Sequence, residues 1–77
     1  MKSPSTLIAL HEKCIKIQEM IQTCEDRING HERSAMFHRS MYNLDHAQWQ
    51  TSRMEINKAI LERLKLYYTN TFVRLVI

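Results

Sequence analysis

Seven apolar residues, Leu7, Leu10, Cys14, Ile17, Ile21, Cys24 and Ile28, recur at strict 3-4-3-4-3-4 spacing along the first third of the chain. That spacing puts all seven on one stripe of an α-helix, as in the a and d positions of a coiled coil. At 44 per cent apolar composition, seven hits in one register arise by chance about 0.3 per cent of the time, before allowing for choice of register. The run is therefore read as a seam, and a seam lies against another helix.

A 77-residue chain makes one domain at most. Chains this short bury only about 60 per cent of their unfolded surface, so a self-sufficient core is marginal and partners are a common remedy. One glycine and one proline argue for few turns and long regular elements. The apolar fraction is too high for a disordered tail. The net charge of +3 comes from residues 29–77, where Arg33, Arg39, Arg53, Lys58, Arg63, Lys65 and Arg74 outnumber four acidic residues. These cations are scattered along the sequence, so no phosphate-tracking stripe is evident and a solvated helical surface is expected. Nothing reads as a signal peptide, and no run approaches the roughly 18 apolar residues of a membrane span. A cytoplasmic protein without a membrane segment is the expectation.

Ser3 followed by Pro4 reads as a helix start, with the proline at the first helical position. Asn29-Gly30 reads as the stop, because both residues adopt the left-handed conformation cheaply. The first helix is thus expected at about 4–28 and a turn at 29–31. Ala35, Met36, Phe37, Met41 and Leu44 then give one or two turns of apolar face, interrupted at Asn43-Leu44-Asp45. Asp45 with Gln48 fits a capping box. Trp49, Ile56, Ile60, Leu64 and Tyr67 form the next stripe, with Met54, Leu61 and Tyr68 one position round from it. Residues 32–68 are either one long bent helix or a short helix at 33–43 and a long one at 46–68. The face is broader than a two-stranded seam needs, which points to a second contact surface. The tail 69–77 is apolar and rich in residues that favour extended structure, and it needs a cover of some kind. The expected fold is an all-α antiparallel helical hairpin, coiled-coil-like, with or without a short extra helix between the two long ones.

Chemistry is sparse. Ten residues along a helix separate Cys14 from Cys24 by about 15 Å, beyond the roughly 7 Å that a disulfide spans. Twin CX9C hairpins need four cysteines, and this chain has two. Both read as small reduced packing residues of the seam. His11 and Cys14, completed by His31, His38 or His46, would form a zinc set only by displacing seam packing. Exposed histidines are the simpler reading. On a continuous helix, His38, Tyr42 and His46 would share a face, where protonation could loosen an interface. No nucleophile–base pair and no glycine-rich phosphate loop is present. Small hairpin phosphatases carry Ser-Gln-x-Leu-Asp; Ser40-Met41-Tyr42-Asn43-Leu44-Asp45 is one residue too long and lacks the glutamine. No enzyme, metal or cofactor is expected.

Trp49-Gln50 followed by Ile56 and Ala59-Ile60, and Tyr67-Tyr68 followed by an Asn/Thr stretch and an apolar end (Val73, Leu75, Val76), carry a family resemblance. Together with chain length and the Asn29-Gly30 turn, they make the chain similar to the small co-chaperones of type III secretion needle proteins, the YscE/SsaE-like family. The likeness covers residues 45–77 and, in pattern only, the first helix; residues 31–44 stand as an insertion. The resemblance implies a cytoplasmic hairpin that docks on a tetratricopeptide-like chaperone and with it holds the needle subunit before export. On this reading Trp49, Ile56, Ile60, Leu64, Tyr67 and Tyr68 form the partner interface, and the seam from Leu7 to Ile28 builds the hairpin. The alternative is a self-associating dimer, a phage- or plasmid-type helical regulator binding a transcription factor or nucleic acid. The scattered basic residues give nucleic acid little support.

Overall fold

A computed structural model describes residues 2–77. Two helices, α1 (Pro4–Ser40) and α2 (Leu44–Val76), pack side by side as an antiparallel hairpin. The fold is all-α, and the molecule is a rod of 60 × 14 × 12 Å. That length matches 37 residues of α1 rising 1.5 Å each, about 55 Å in all. The start of α1 follows its capping signals: the Ser3 hydroxyl accepts from the Thr6 backbone N–H at 3.2 Å, and Pro4 opens the helix.

The turn expected at residues 29–31 is absent; α1 runs straight through Asn29 and Gly30. Gly30 has no positive φ, and its surroundings are open. The reason lies in the seam, which continues past Ile28 at the same spacing through His31, Ala35 and His38, all buried or half-buried. A helical glycine costs about 1 kcal/mol relative to alanine, and three further seam positions packed against α2 outweigh it.

The reversal falls at Met41, Tyr42 and Asn43 instead. The Asn43 N–H donates to the His38 carbonyl at 2.8 Å, and the Tyr42 N–H donates to the Arg39 carbonyl at 3.0 Å. These two bonds form a Schellman cap, with Tyr42 in the left-handed position at φ 58°. A non-glycine residue there costs about 1–2 kcal/mol, offset by the carbonyls it satisfies. Asn43 then caps α2 through its side chain, which accepts from the His46 N–H at 3.4 Å. The expected capping box therefore lies two residues late: Asp45 sits inside the first turn of α2, where its carboxylate complements the helix dipole. Neither the single helix over 32–68 nor the pair at 33–43 and 46–68 is observed, since residues 31–40 belong to α1.

The tail, with its preference for extended structure, is nonetheless helical to Val76. Thr69 and Thr71 turn their hydroxyls onto the Lys65 and Tyr67 carbonyls at 3.0 and 2.9 Å. This is the usual way a threonine accommodates itself inside a helix. Thr71 is 2 per cent exposed and Leu75 half-buried, so the tail is held by continuing the seam.

The inner face of α2 consists of Ala47, Gln50, Met54, Asn57, Leu61, Leu64, Tyr68, Thr71 and Leu75, again at 3-4 spacing. Gln50, Asn57, Tyr68 and Thr71 are polar, and each is satisfied. Gln50 bonds His31 of α1 at 2.5 Å and His46 at 3.2 Å. The Cys24 thiol donates to the Asn57 backbone carbonyl at 3.1 Å, while the Asn57 side chain donates to the Arg53 carbonyl at 2.9 Å. Gln18 donates to the Tyr68 hydroxyl at 3.0 Å, and Thr71 is bonded as above. Among the described residues no buried side-chain nitrogen or oxygen lacks a partner.

Candidate interaction face

The seven seam residues of α1 divide cleanly. Leu10, Cys14, Ile17, Cys24 and Ile28 are buried and Ile21 is half-buried, all toward α2; Leu7, at the open end, is 39 per cent exposed. Both cysteines are free and buried. The six residues expected at the partner interface belong to two different faces. Leu64 and Tyr68 lie in the inner seam, half-buried against α1, and so do not belong to an outer surface. Trp49, Ile56, Ile60 and Tyr67 lie on the outside, each roughly half exposed.

These four outer residues alternate along α2 with Arg53 and Arg63 at 4-3-4-3-4 spacing, giving the helix a second stripe beside its inner one. Two cross-helix contacts define the flanks of the rod. On one flank the Arg39 guanidinium donates to the Thr51 hydroxyl at 3.1 Å. On the other, Lys13 lies over the Tyr67 ring at 4.9 Å from its centre. The outer stripe of α2 belongs to this second flank, and Arg53 stacks over Trp49 within it at 5.1 Å. Between the helices on the same flank runs a groove of about 470 Å³, floored by Met20, Cys24, Ile60 and Leu64, with Lys16, Glu19 and Arg27 along its edge.

Charge is segregated between the flanks. By helical register Lys13, Lys16, Arg27, Arg53, Arg63 and Arg74 fall on the groove side, while Glu19, at the groove's edge, lies on the back of α1 in one register with Glu12 and Asp26. Glu25, Glu32, Glu55 and Glu62 fall on the opposite side with Arg39, Lys58 and Lys65. The single ion pair among the described residues, Glu55–Lys58 at 3.5 Å, is on that opposite side. Six of the chain's eleven cations, scattered in the sequence, are thus gathered by the fold onto one flank. The signal is present as a 3-4 spacing of basic and bulky residues, and it is masked because the groove-side cations of α2, Arg53, Arg63 and Arg74, stand ten or more residues apart.

The closed end of the rod holds three of the four histidines. His38 and His46 sit on different helices, on either side of the turn, with ring centres 3.9 Å apart. They do not share one helical face with Tyr42, which is 90 per cent exposed at the tip. His31 and His46 also approach Trp49, at 6.4 and 5.8 Å between ring centres. All three histidines are half-buried, lining the seam where aliphatic residues give out. Among the described residues no group of three or more histidine, cysteine, aspartate or glutamate side chains is placed to hold a metal ion, and no helix is long and apolar enough to cross a membrane. No family model, curated protein or solved structure matches the chain.

Proposed function

We propose that the chain is a non-enzymatic docking module, a helical rod that presents the groove flank of α2 to a helical protein partner. The carrying observation is its surface. The rod exposes 6010 Å², whereas a compact monomer of 9.2 kDa exposes about 4,900 Å². The excess exceeds the roughly 800 Å² that each partner contributes to a standard interface. Large apolar side chains occupy it in a row, Trp49, Ile56, Ile60 and Tyr67, with Phe37, Met41 and Leu44 around the tip. Rows of that kind mark interaction surfaces.

The specific form of this reading is a cytoplasmic co-chaperone that, with a tetratricopeptide-like chaperone, holds a type III secretion needle subunit before export. Its support is the likeness over residues 45–77, carried by Trp49-Gln50, Ile56, Ala59-Ile60, Tyr67-Tyr68 and the apolar end. Asn29-Gly30 contributes nothing to it, since those residues are helical.

A homodimeric helical regulator is the second reading, favoured by one fact: the excess surface is large enough for a second hairpin to cover. Light scattering on the purified chain separates the two. The docking module is a monomer that binds a hydrophobic dye and forms a defined complex when co-expressed with a tetratricopeptide chaperone. A cooperatively folding monomer with no dye binding and no complex ends the first reading, and a dimer that needs no partner establishes the second.

A further inference from the structure

The outer stripe of α2 has its apolar residues interrupted at regular intervals by arginine, and α1 brings Lys13, Lys16 and Arg27 to the same flank. Among the described residues none of these cations has a carboxylate within ion-pairing distance. Two of them lie over the stripe's own aromatic rings, Lys13 on Tyr67 and Arg53 on Trp49, which holds the charge beside the apolar floor. From Trp49 to Tyr67 the stripe runs about 27 Å, the length of five helical turns.

Charge decides the occupant. A second copy docking through this flank would do so about a two-fold axis, bringing like faces together and setting one basic row against another. A nucleic acid would satisfy the cations and leave Met20, Ile56 and Ile60 against a phosphate backbone, which gains nothing from them. A helix with apolar residues at i, i+3, i+4 and i+7, and carboxylates on both sides of that row, satisfies both chemistries at once. We propose that this flank is a docking groove for an acidic amphipathic helix of a partner protein, with Ile56, Ile60 and Met20 taking its apolar row and Arg27, Arg53 and Lys16 its carboxylates. This deepens the docking-module reading and rests on it.

The test uses the full chain and a synthetic, tryptophan-free amphipathic peptide of about 21 residues. One version carries leucine on its apolar face and glutamate on the flanks; the control replaces every glutamate by lysine. Trp49 emission and the anisotropy of labelled peptide report binding. The glutamate peptide should bind at least about tenfold more tightly than the control, and its affinity should fall between about 50 and 300 mM salt. R27E combined with R53E should abolish that preference, and K58E with K65E on the opposite flank should leave it intact, with circular dichroism confirming the helical fold of both variants. Equal binding of the two peptides overturns the proposal. So does tighter binding of a single-stranded RNA oligonucleotide that R27E with R53E removes, or a dimer through this flank that excludes the peptide. If a chaperone complex forms and is insensitive to R27E with R53E, this inference fails while the docking module stands; if no complex forms at all, the module itself fails.

Discussion

α2 carries two stripes that differ in charge: the one facing inward carries none, and the one facing outward is interrupted by arginine. Its inner face alternates Ala47, Met54, Leu61, Leu64 and Leu75 with Gln50, Asn57, Tyr68 and Thr71, whereas the outer face presents Trp49, Ile56, Ile60 and Tyr67 between arginines. Side-chain bulk therefore does not decide which side of this helix is buried; freedom from charge and the continuous 3-4 register matching that of α1 do. The hairpin closes on aliphatic residues interspersed with small and polar ones, and leaves Trp49, Ile56, Ile60 and Tyr67 half exposed on the outside.

Truncating one isoleucine of each kind puts this contrast under the greatest strain. Ile17, 3 per cent exposed in the inner seam, should lose about 3 kcal/mol on replacement by alanine. Ile56→Ala, on the outer stripe, should stay within about 0.5 kcal/mol. Urea denaturation followed by circular dichroism measures both, and equal losses would mean that the outer stripe is covered in the isolated chain. Gly30 tests the continuity of the α1 register. Gly30→Ala should stabilise the hairpin by about 1 kcal/mol, since the backbone is helical and a methyl group meets nothing within 4 Å. A destabilised variant would restore the turn at 29–31. Tyr42→Gly, at the true reversal, should raise stability by somewhat less than about 1 kcal/mol, relief of the left-handed strain being partly offset by added freedom in the unfolded chain. The smallest stability effect belongs to Ile60→Ser, about 0.5 kcal/mol or less, yet this variant should lose the co-expressed complex while its thermal melt hardly moves.

Much of this architecture is legible in the residues, and the failures are instructive. The α1 seam can be read to Ile28 because every position is apolar. Beyond it the seam is carried by Ala35 between His31 and His38, two residues that no hydropathy pattern selects. Asn29-Gly30 is the strongest local turn signal in the chain, and tertiary packing overrides it. The actual turn has no glycine, and its cue is Asn43, within the interruption at Asn43-Leu44-Asp45. On α2 the outer stripe stands out over the inner one because its residues are larger. The same bias places Leu64 and Tyr68 outward in the sequence pattern, where the register against α1 turns them inward. Cation clustering is faint along the sequence, carried only by the 3-4 spacing of Arg53 and Arg63 among bulky residues, and it becomes a patch when two helices lie side by side.

The Schellman turn at Tyr42 also bears on how the hairpin forms. Sequence separation between facing residues grows steadily with distance from the turn, from His38 and His46 to Gln18 and Tyr68, fifty positions apart. Pairing near the turn closes the shortest loops, so it is the least costly place to begin. Formation should then advance like a zip toward the open end. Substitutions at Ala35 or Ala47 should slow refolding, those at Leu10 or Thr71 should chiefly hasten unfolding, and stopped-flow φ-values should decline along the rod from its tip.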